Sequence, residues 1–123
     1  MKRLSSNKAS NSYRFDTNNQ TFNMLKHIVI FTLKLEGNTQ EKQAHLQKIK
    51  EELEALTQKI PQLIEMKVAT NVNPQEADGF ILEAIVNDFD DLNIYAQHPA
   101  HVAVVQRLIA PYKESRSCID FEV

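Results

Sequence analysis

Residues 25–35 read Leu25-Lys26-His27-Ile28-Val29-Ile30-Phe31-Thr32-Leu33-Lys34-Leu35, and this stretch decides the fold. Its β-branched and aromatic residues favour a strand, in which successive side chains face opposite sides of a sheet. One side is formed by the alternate residues Leu25, His27, Val29, Phe31, Leu33 and Leu35. The opposite side is also apolar at its centre, at Ile28 and Ile30. Both sides of this strand therefore have to be covered.

A long helix is predicted after this strand. Asn38 followed by Glu41 is typical of a capping box at a helix start. Apolar residues then recur at steps of three and four, at Leu46, Ile49, Leu53, Leu56 and Ile60. This spacing gives a helix with one apolar face, which would pack on a sheet. Pro61 ends the pattern.

Three more strands and a helical pair complete the chain. Alternation over residues 63–72, 80–86 and 117–123 predicts strands, and a polar loop joins the first two as a hairpin. Two short helical stripes lie between the second and third of these strands. The resulting order fits an α+β, ferredoxin-like (βαββαβ) fold, an antiparallel sheet with helices on one face.

The helix-free face of that sheet predicts a second subunit. Ile28, Ile30, Ile81 and Ile85 point away from the side assigned to the helices, and nothing else in the chain remains to cover them. A patch of this size is unusual on a monomer, and burying each aliphatic side chain is worth roughly 1.5–3 kcal/mol. A homodimer packed sheet against sheet is therefore expected.

Composition excludes several functional classes. At 123 residues the chain is expected to form one domain, and no apolar run approaches the ~18 residues that cross a membrane. The two glycines, Gly37 and Gly79, cannot build a glycine-rich phosphate loop. Cys118 is the only cysteine, which excludes an internal disulfide and fits a cytoplasmic location. Lys2, Arg3, Lys8 and Arg14 against Asp16 give residues 1–23 a net charge of +3, so the total of −2 leaves −5 on the rest of the chain. This acidic part argues against nucleic acid as a partner.

Residues 1–23 differ from the rest of the chain. They are rich in Ser and Asn and contain few large apolar residues, so we expect a disordered N-terminal extension. The folded domain is expected over residues 24–123. Because Met24 directly precedes the first strand, a natural start of translation at that residue is an alternative explanation for the extension.

The chemically richest stretch is Tyr95-Ala96-Gln97-His98-Pro99-Ala100-His101. Pro99 disfavours helix at the preceding residue, so one helix should end near Gln97 and another begin at Pro99. This corner would bring Tyr95 and His101 to one pocket. His98 is expected to make a local hydrogen bond there. His45 lies among polar neighbours, and we expect it to be exposed.

Five segments form a recognisable set: Leu25–Phe31, Ile60-Pro61, the run from Phe89 through Asp91-Leu92 to Tyr95, His98-Pro99-Ala100-His101, and Ile119-Asp120-Phe121. Together they resemble the stress-responsive dimeric A/B barrel (Dabb) family over essentially all of residues 24–123. The resemblance implies a ferredoxin-like subunit whose sheet joins a partner's sheet in a dimeric α/β barrel, with the helices outside.

The same resemblance implies a candidate activity. The family includes many members without an assigned activity and a plant polyketide cyclase that catalyses an intramolecular aldol condensation without a cofactor. Matched by motif, its catalytic groups fall on His27, Tyr95 and His101. Acid–base chemistry on a small carbonyl compound would then use His101 as the base and Tyr95 as the donor to the enolate oxygen. His27 would orient Tyr95 or polarise a second carbonyl group, and the two histidines could exchange roles.

Other interpretations remain open. His27 and His101 could be satisfied core groups of a non-catalytic protein that binds a small apolar ligand or acts in the stress response. A metal site would use His27, His98 and His101 with Asp120, but their spacing is not diagnostic, and we expect neither a metal nor a cofactor. A haem- or oxygen-dependent monooxygenase would rest on analogy of fold alone.

Overall fold

The computed structural model of the protein describes residues 13–15 and 21–123. None of the helices in this part of the chain combines the length and the apolar character needed to span a membrane. Most of the predicted disordered extension, residues 1–12 and 16–20, lies outside the described residues. What is described of it pairs as two short antiparallel strands, β1 (Tyr13–Phe15) and β2 (Thr21–Asn23), which the sequence analysis did not anticipate. The disorder of the remainder stays a prediction.

The elements after residue 24 follow the predicted order. Four strands form one sheet: β3 (Leu25–Leu33), β4 (Glu65–Thr70), β5 (Gly79–Val86) and β6 (Lys113–Glu122). The α-helices are α1 (Thr39–Glu54), α2 (Phe89–Gln97) and α3 (Pro99–Val104). Helix α1 continues as a 3₁₀ turn (Ala55–Gln58), and α3 continues as a π-helical segment (Val105–Ile109) and a 3₁₀ turn (Ala110–Tyr112). The predicted α+β architecture is confirmed.

The sheet places β3 between two antiparallel neighbours. Its strand order is β4-β5-β3-β6, so β6 forms one edge. His27 on β3 lies opposite Ala84 on β5 and Asp120 on β6. Residues directly opposite each other in a sheet share a face. Asp120 and His27 therefore project to the same side.

The odd-numbered residues of β3 face the hydrophobic core, as the sequence pattern predicted. Helix α1 begins at the expected capping box, in which the Asn38 side chain accepts a hydrogen bond from the Glu41 backbone N–H at 2.8 Å and the Glu41 carboxylate accepts one from the Asn38 N–H at 2.9 Å. The helix packs mainly on β4. All five residues of its predicted apolar face, Leu46, Ile49, Leu53, Leu56 and Ile60, are buried.

The even-numbered side of β3 belongs to an apolar face without helices. Ile30 is 49% exposed, and Ile28, Ile81 and Ile85 are half-buried in the single chain. Strand β6 adds two apolar residues that the sequence analysis did not assign to this face: Ile119 lies opposite Ile28, and Phe121 lies opposite Lys26. We call these six residues, Ile28, Ile30, Ile81, Ile85, Ile119 and Phe121, the open face of the sheet.

The corner between α2 and α3 forms as predicted. Asp88 caps α2 by accepting a hydrogen bond from the Asp91 N–H, and α2 ends at Gln97. His98 is extended and Pro99 is the first residue of α3. The His98 Nδ1 accepts a hydrogen bond from the Ala100 N–H at 3.0 Å, so the expected local bond is present.

His45 is half-buried rather than exposed, which corrects the expectation from its polar neighbours. Its Nε2 lies 2.8 Å from the Leu108 carbonyl oxygen, and the edge of its ring packs on Tyr112. Helix α1 contacts the π-helical segment that contains Leu108. Because π-helical turns are not visible in a sequence pattern, this contact could not be predicted.

Candidate functional site

A cavity of about 500 Å³ lies between the sheet and the pair α2–α3. One side of the cavity is formed by the edge strand β6, of which only Cys118 is half-buried and the rest is exposed. Apolar side chains form much of the wall, among them Val29, Leu82 and Ile109. The ionisable side chains that line the cavity are His27, Tyr95, His101, Lys113, Arg116, Cys118 and Asp120.

His27 and Asp120 form a close pair in the cavity wall. The register between β3 and β6 places them opposite each other, and the His27 Nδ1 lies 2.5 Å from the Asp120 Oδ1. His27 is only 8% exposed. When Nδ1 carries a proton, it donates a hydrogen bond to the Asp120 carboxylate. The second ring nitrogen, Nε2, is then available for a ligand.

Tyr95 lies between the two histidines on the inner face of α2. Its ring centroid is 6.4 Å from that of His27 and 4.4 Å from that of His101. Burial raises the pKa of the Tyr95 hydroxyl far above its usual value, which keeps the phenol protonated and able to donate. Among the described residues, no hydrogen bond uses this hydroxyl group. Because buried polar groups are normally paired, the hydroxyl is available for a bound molecule.

His101, in the first turn of α3, is held in one tautomer by a carbonyl group in the last turn of α2. Its Nδ1 lies 2.9 Å from the Ala96 carbonyl oxygen, to which it donates, so Nε2 carries a free lone pair. Burial lowers the pKa of His101, helped by the nearby His27 and His98 and opposed by the bond to Ala96. The ring is therefore neutral at pH 7 and can accept a proton.

The sequence pattern did not predict that two residues of β6 would line the cavity beside His27. In the sequence, Cys118 stands out only as a lone thiol and Asp120 only as an additional metal ligand. The Cys118 Sγ lies 3.5 Å from the His27 Nδ1 and 3.7 Å from the Asp120 Oδ1. Burial and the carboxylate of Asp120 raise the pKa of the Cys118 thiol. Residues 116, 118 and 120 are two positions apart, so their side chains lie on one side of a strand. This spacing could have indicated that Cys118 and Asp120 lie close together.

The structure brings together the three residues proposed as catalytic. His27, Tyr95 and His101 all line the cavity. The metal set considered from the sequence is not assembled, because His98 is not part of the cavity wall and its Nδ1 is bonded to the Ala100 N–H. Within the part of the chain that the structure describes, the groups close enough to share a metal ion are His27, Cys118 and Asp120.

Comparison with known proteins gives the family. The model of the stress responsive A/B barrel (Dabb) domain matches residues 25–123. The chain belongs to this family. A search among curated proteins gave no match.

Two solved structures are similar in sequence as well as fold. A dimeric protein of unknown function with a ferredoxin-like fold from Bacteroides fragilis NCTC 9343 is 39% identical over 81% of this chain and 96% of that chain, with a TM-score of 0.72. A Dabb family protein from Mesorhizobium loti is 28% identical over 80% of this chain and 94% of that chain, with a TM-score of 0.61. The predicted ferredoxin-like fold is confirmed.

The same fold is found in an enzyme. Hydroxynitrile lyase from Passiflora edulis is 15% identical over 81% of this chain and 93% of that chain, with a TM-score of 0.64. Likeness at this identity shows the fold alone. A catalytic role for the Dabb protein therefore has to be argued from its own cavity.

Proposed function

We propose that the cavity binds a small carbonyl compound and that its side chains remove a proton from the carbon next to the carbonyl group, without a cofactor. The observation that carries this proposal is that three groups line one cavity: a neutral His101, a protonated Tyr95 hydroxyl without a partner among the described residues, and the His27–Asp120 pair. An acceptor and a donor of a proton side by side are what such a reaction requires.

His101 is the proposed base. Its Nε2 lone pair accepts the proton from the substrate carbon, and its Nδ1–H stays bonded to the Ala96 carbonyl oxygen throughout. That bond favours the charged ring that forms in the reaction, because it opposes the effect of burial on the pKa of His101. The lowered pKa keeps the base in its neutral form at pH 7.

Tyr95 is the proposed donor to the oxygen on which negative charge develops. Its hydroxyl is buried, and a hydrogen bond to an enolate oxygen is strong where water is excluded. The Tyr95 ring contacts the His101 ring at a centroid distance of 4.4 Å, so both groups can reach adjacent atoms of one small molecule.

The His27–Asp120 pair supplies a second polar group on the sheet side of the cavity. Asp120 holds the His27 ring through Nδ1, so a proton on Nε2 can be donated to a second carbonyl oxygen of the substrate. The same pairing supports the exchanged assignment, in which His27 accepts the proton and His101 polarises a carbonyl group. The variants described below separate the two assignments.

We also propose that the subunits of the homodimer meet through the open face of the sheet. Ile119 is 68% exposed and Ile30 is 49% exposed in the single chain, in a face that none of the described helices covers. The free thiol of Cys118 at the cavity supports a reducing, cytoplasmic location.

The test is exchange of carbon-bound protons for deuterium in acetylacetone, followed by proton NMR in D₂O. We expect the protein to speed exchange above the buffer rate. His101→Gln should slow the catalysed exchange about 10²–10⁴-fold, and Tyr95→Phe about 10²–10³-fold. His98→Asn is the matched control, because Asn keeps an acceptor for the Ala100 N–H and His98 lies outside the cavity wall.

Other outcomes decide between the alternatives. Loss of exchange in His27→Gln with normal exchange in His101→Gln would establish the exchanged assignment. The apolar part of the wall, which includes Val29, Leu82 and Ile109, favours a non-catalytic ligand-binding protein as the second candidate. Thermal stabilisation by acetylacetone without any exchange above the buffer rate would contradict catalysis and support that second candidate.

A further inference from the structure

We propose that His27, Cys118 and Asp120 form a binding site for a divalent transition metal of the zinc class, at the β3–β6 edge of the cavity. The site shares His27 and Asp120 with the proposed acid–base function, but the proposal does not depend on that function. It concerns binding, which can be measured without a substrate.

The sheet register brings the three ligand atoms together. Asp120 lies opposite His27, and Cys118 lies two residues before Asp120 on the same side of β6. The His27 Nδ1, the Cys118 Sγ and one carboxylate oxygen of Asp120 all lie within 4.8 Å of one another. All three side chains line the cavity, so a metal ion could reach them from it.

The distances from sulfur already match a tetrahedral site. With a metal–sulfur bond of about 2.3 Å and metal–nitrogen or metal–oxygen bonds of about 2.0 Å, sulfur and either lighter ligand lie about 3.5 Å apart. In the structure the Cys118 Sγ lies 3.5 Å from the His27 Nδ1 and 3.7 Å from the Asp120 Oδ1. Little movement of Cys118 is therefore needed.

Only the hydrogen bond between His27 and Asp120 has to open. Its two atoms are 2.5 Å apart, and a tetrahedral ion would hold them about 3.3 Å apart. The Asp120 side chain is 26% exposed and belongs to the edge strand. A change of its rotamer can make this adjustment without disturbing the core.

The ligand types select the class of metal. Calcium and magnesium prefer sites made only of oxygen ligands. A set of imidazole, thiolate and carboxylate suits zinc and, as a spectroscopic substitute, cobalt(II). Three protein ligands also leave a fourth position for water or for a carbonyl oxygen. Arg116 also lines the cavity, and its positive charge opposes a bound cation.

Cobalt(II) titration of the untagged full chain tests the proposal. A thiolate-to-cobalt charge-transfer band can come only from Cys118, because the chain has no other cysteine. We expect this band, together with the intense visible bands of four-coordinate cobalt, and we expect zinc(II) to abolish both. Asp120→Asn and His27→Gln keep the thiol and should each weaken zinc binding in calorimetry by more than about tenfold.

His98→Asn is again the matched control, and its zinc affinity should equal that of the wild type. Absence of the charge-transfer band in the folded wild-type protein would overturn the proposal. So would unchanged zinc affinity in Asp120→Asn, a variant expected to fold because position 120 lies on the edge strand. If His27→Gln does not fold, Asp120→Asn decides alone. Failure of metal binding would leave the proton-exchange test unaffected.

Discussion

Tyr95→Phe tests whether the buried Tyr95 hydroxyl is reserved for a bound molecule. Tyr95 is 2% exposed, and within the described part of the chain its hydroxyl takes part in no hydrogen bond. A buried polar group without a partner costs about 1–3 kcal/mol. Phenylalanine removes the hydroxyl but keeps the ring contacts with His27 and His101.

Water in the cavity of about 500 Å³ would satisfy part of that cost. We therefore expect the free energy of unfolding of Tyr95→Phe to lie between the wild-type value and about 1 kcal/mol above it. For a domain of this size, 1 kcal/mol corresponds to about 4–8 °C in Tm. Urea unfolding followed by circular dichroism measures the first quantity and calorimetry the second.

Tyr95→Ala is the control for the ring itself. It deletes a fully buried aromatic side chain and should cost about 3–5 kcal/mol. A loss of more than about 1 kcal/mol in Tyr95→Phe would show that the hydroxyl stabilises the fold. The argument that it serves a ligand would then be refuted.

Three further predictions follow from other parts of the molecule. Because burial lowers the pKa of His101, the unfolded chain binds a proton at this histidine more readily than the folded protein, and the free energy of unfolding should fall as the pH drops below the usual value of 6.5. His101→Gln should lack this part of the pH dependence. If the free energy of unfolding depended on pH in the same way in the wild type and in His101→Gln, the lowered pKa of His101 would be contradicted. Ile119→Glu should convert the dimer to monomers in light scattering. Val72→Glu should not, because Val72 is 91% exposed and lies outside the open face. A dimeric Ile119→Glu variant would contradict pairing through that face. Gly79→Ala would bring a Cβ into collision with the Phe31 carbonyl oxygen, so it should lower the free energy of unfolding by about 1–3 kcal/mol in urea unfolding. Wild-type stability in this variant would show that β5 can move away from β3.

Local patterns predicted the elements because local physics determines them. The capping box at Asn38, the apolar period of α1 and the break at Pro99 depend on residues within a few positions of one another. The two-sided apolar pattern of β3 likewise predicted both the covered core and the open face. In each case the sequence contains both the cause and the position.

Which residues meet in the cavity wall depends on how the strands pair, and the pairing cannot be read from the sequence. Asp120 meets His27 only because β6 pairs with β3 in one particular register. The contact of Cys118 with His27 has the same origin. The family resemblance identified His27, Tyr95 and His101 as candidates. The hydrogen-bond partners of the two histidines are seen only in the structure.

The contact of His45 shows the same limit in the helical layer. A surface position on α1 becomes half-buried because the π-helical segment lies against it and offers the Leu108 carbonyl oxygen. Helical periodicity describes one helix, whereas this contact depends on how two elements pack. The size of the cavity depends on the same packing.

The central claim is that His101 takes a proton from a carbonyl compound held in this cavity. The most direct measurement compares deuterium incorporation into acetylacetone by His101→Gln and by His98→Asn, two substitutions of histidines three residues apart. We predict wild-type incorporation for His98→Asn and a rate at least about 100-fold lower for His101→Gln. Equal rates in the two variants would contradict the claim.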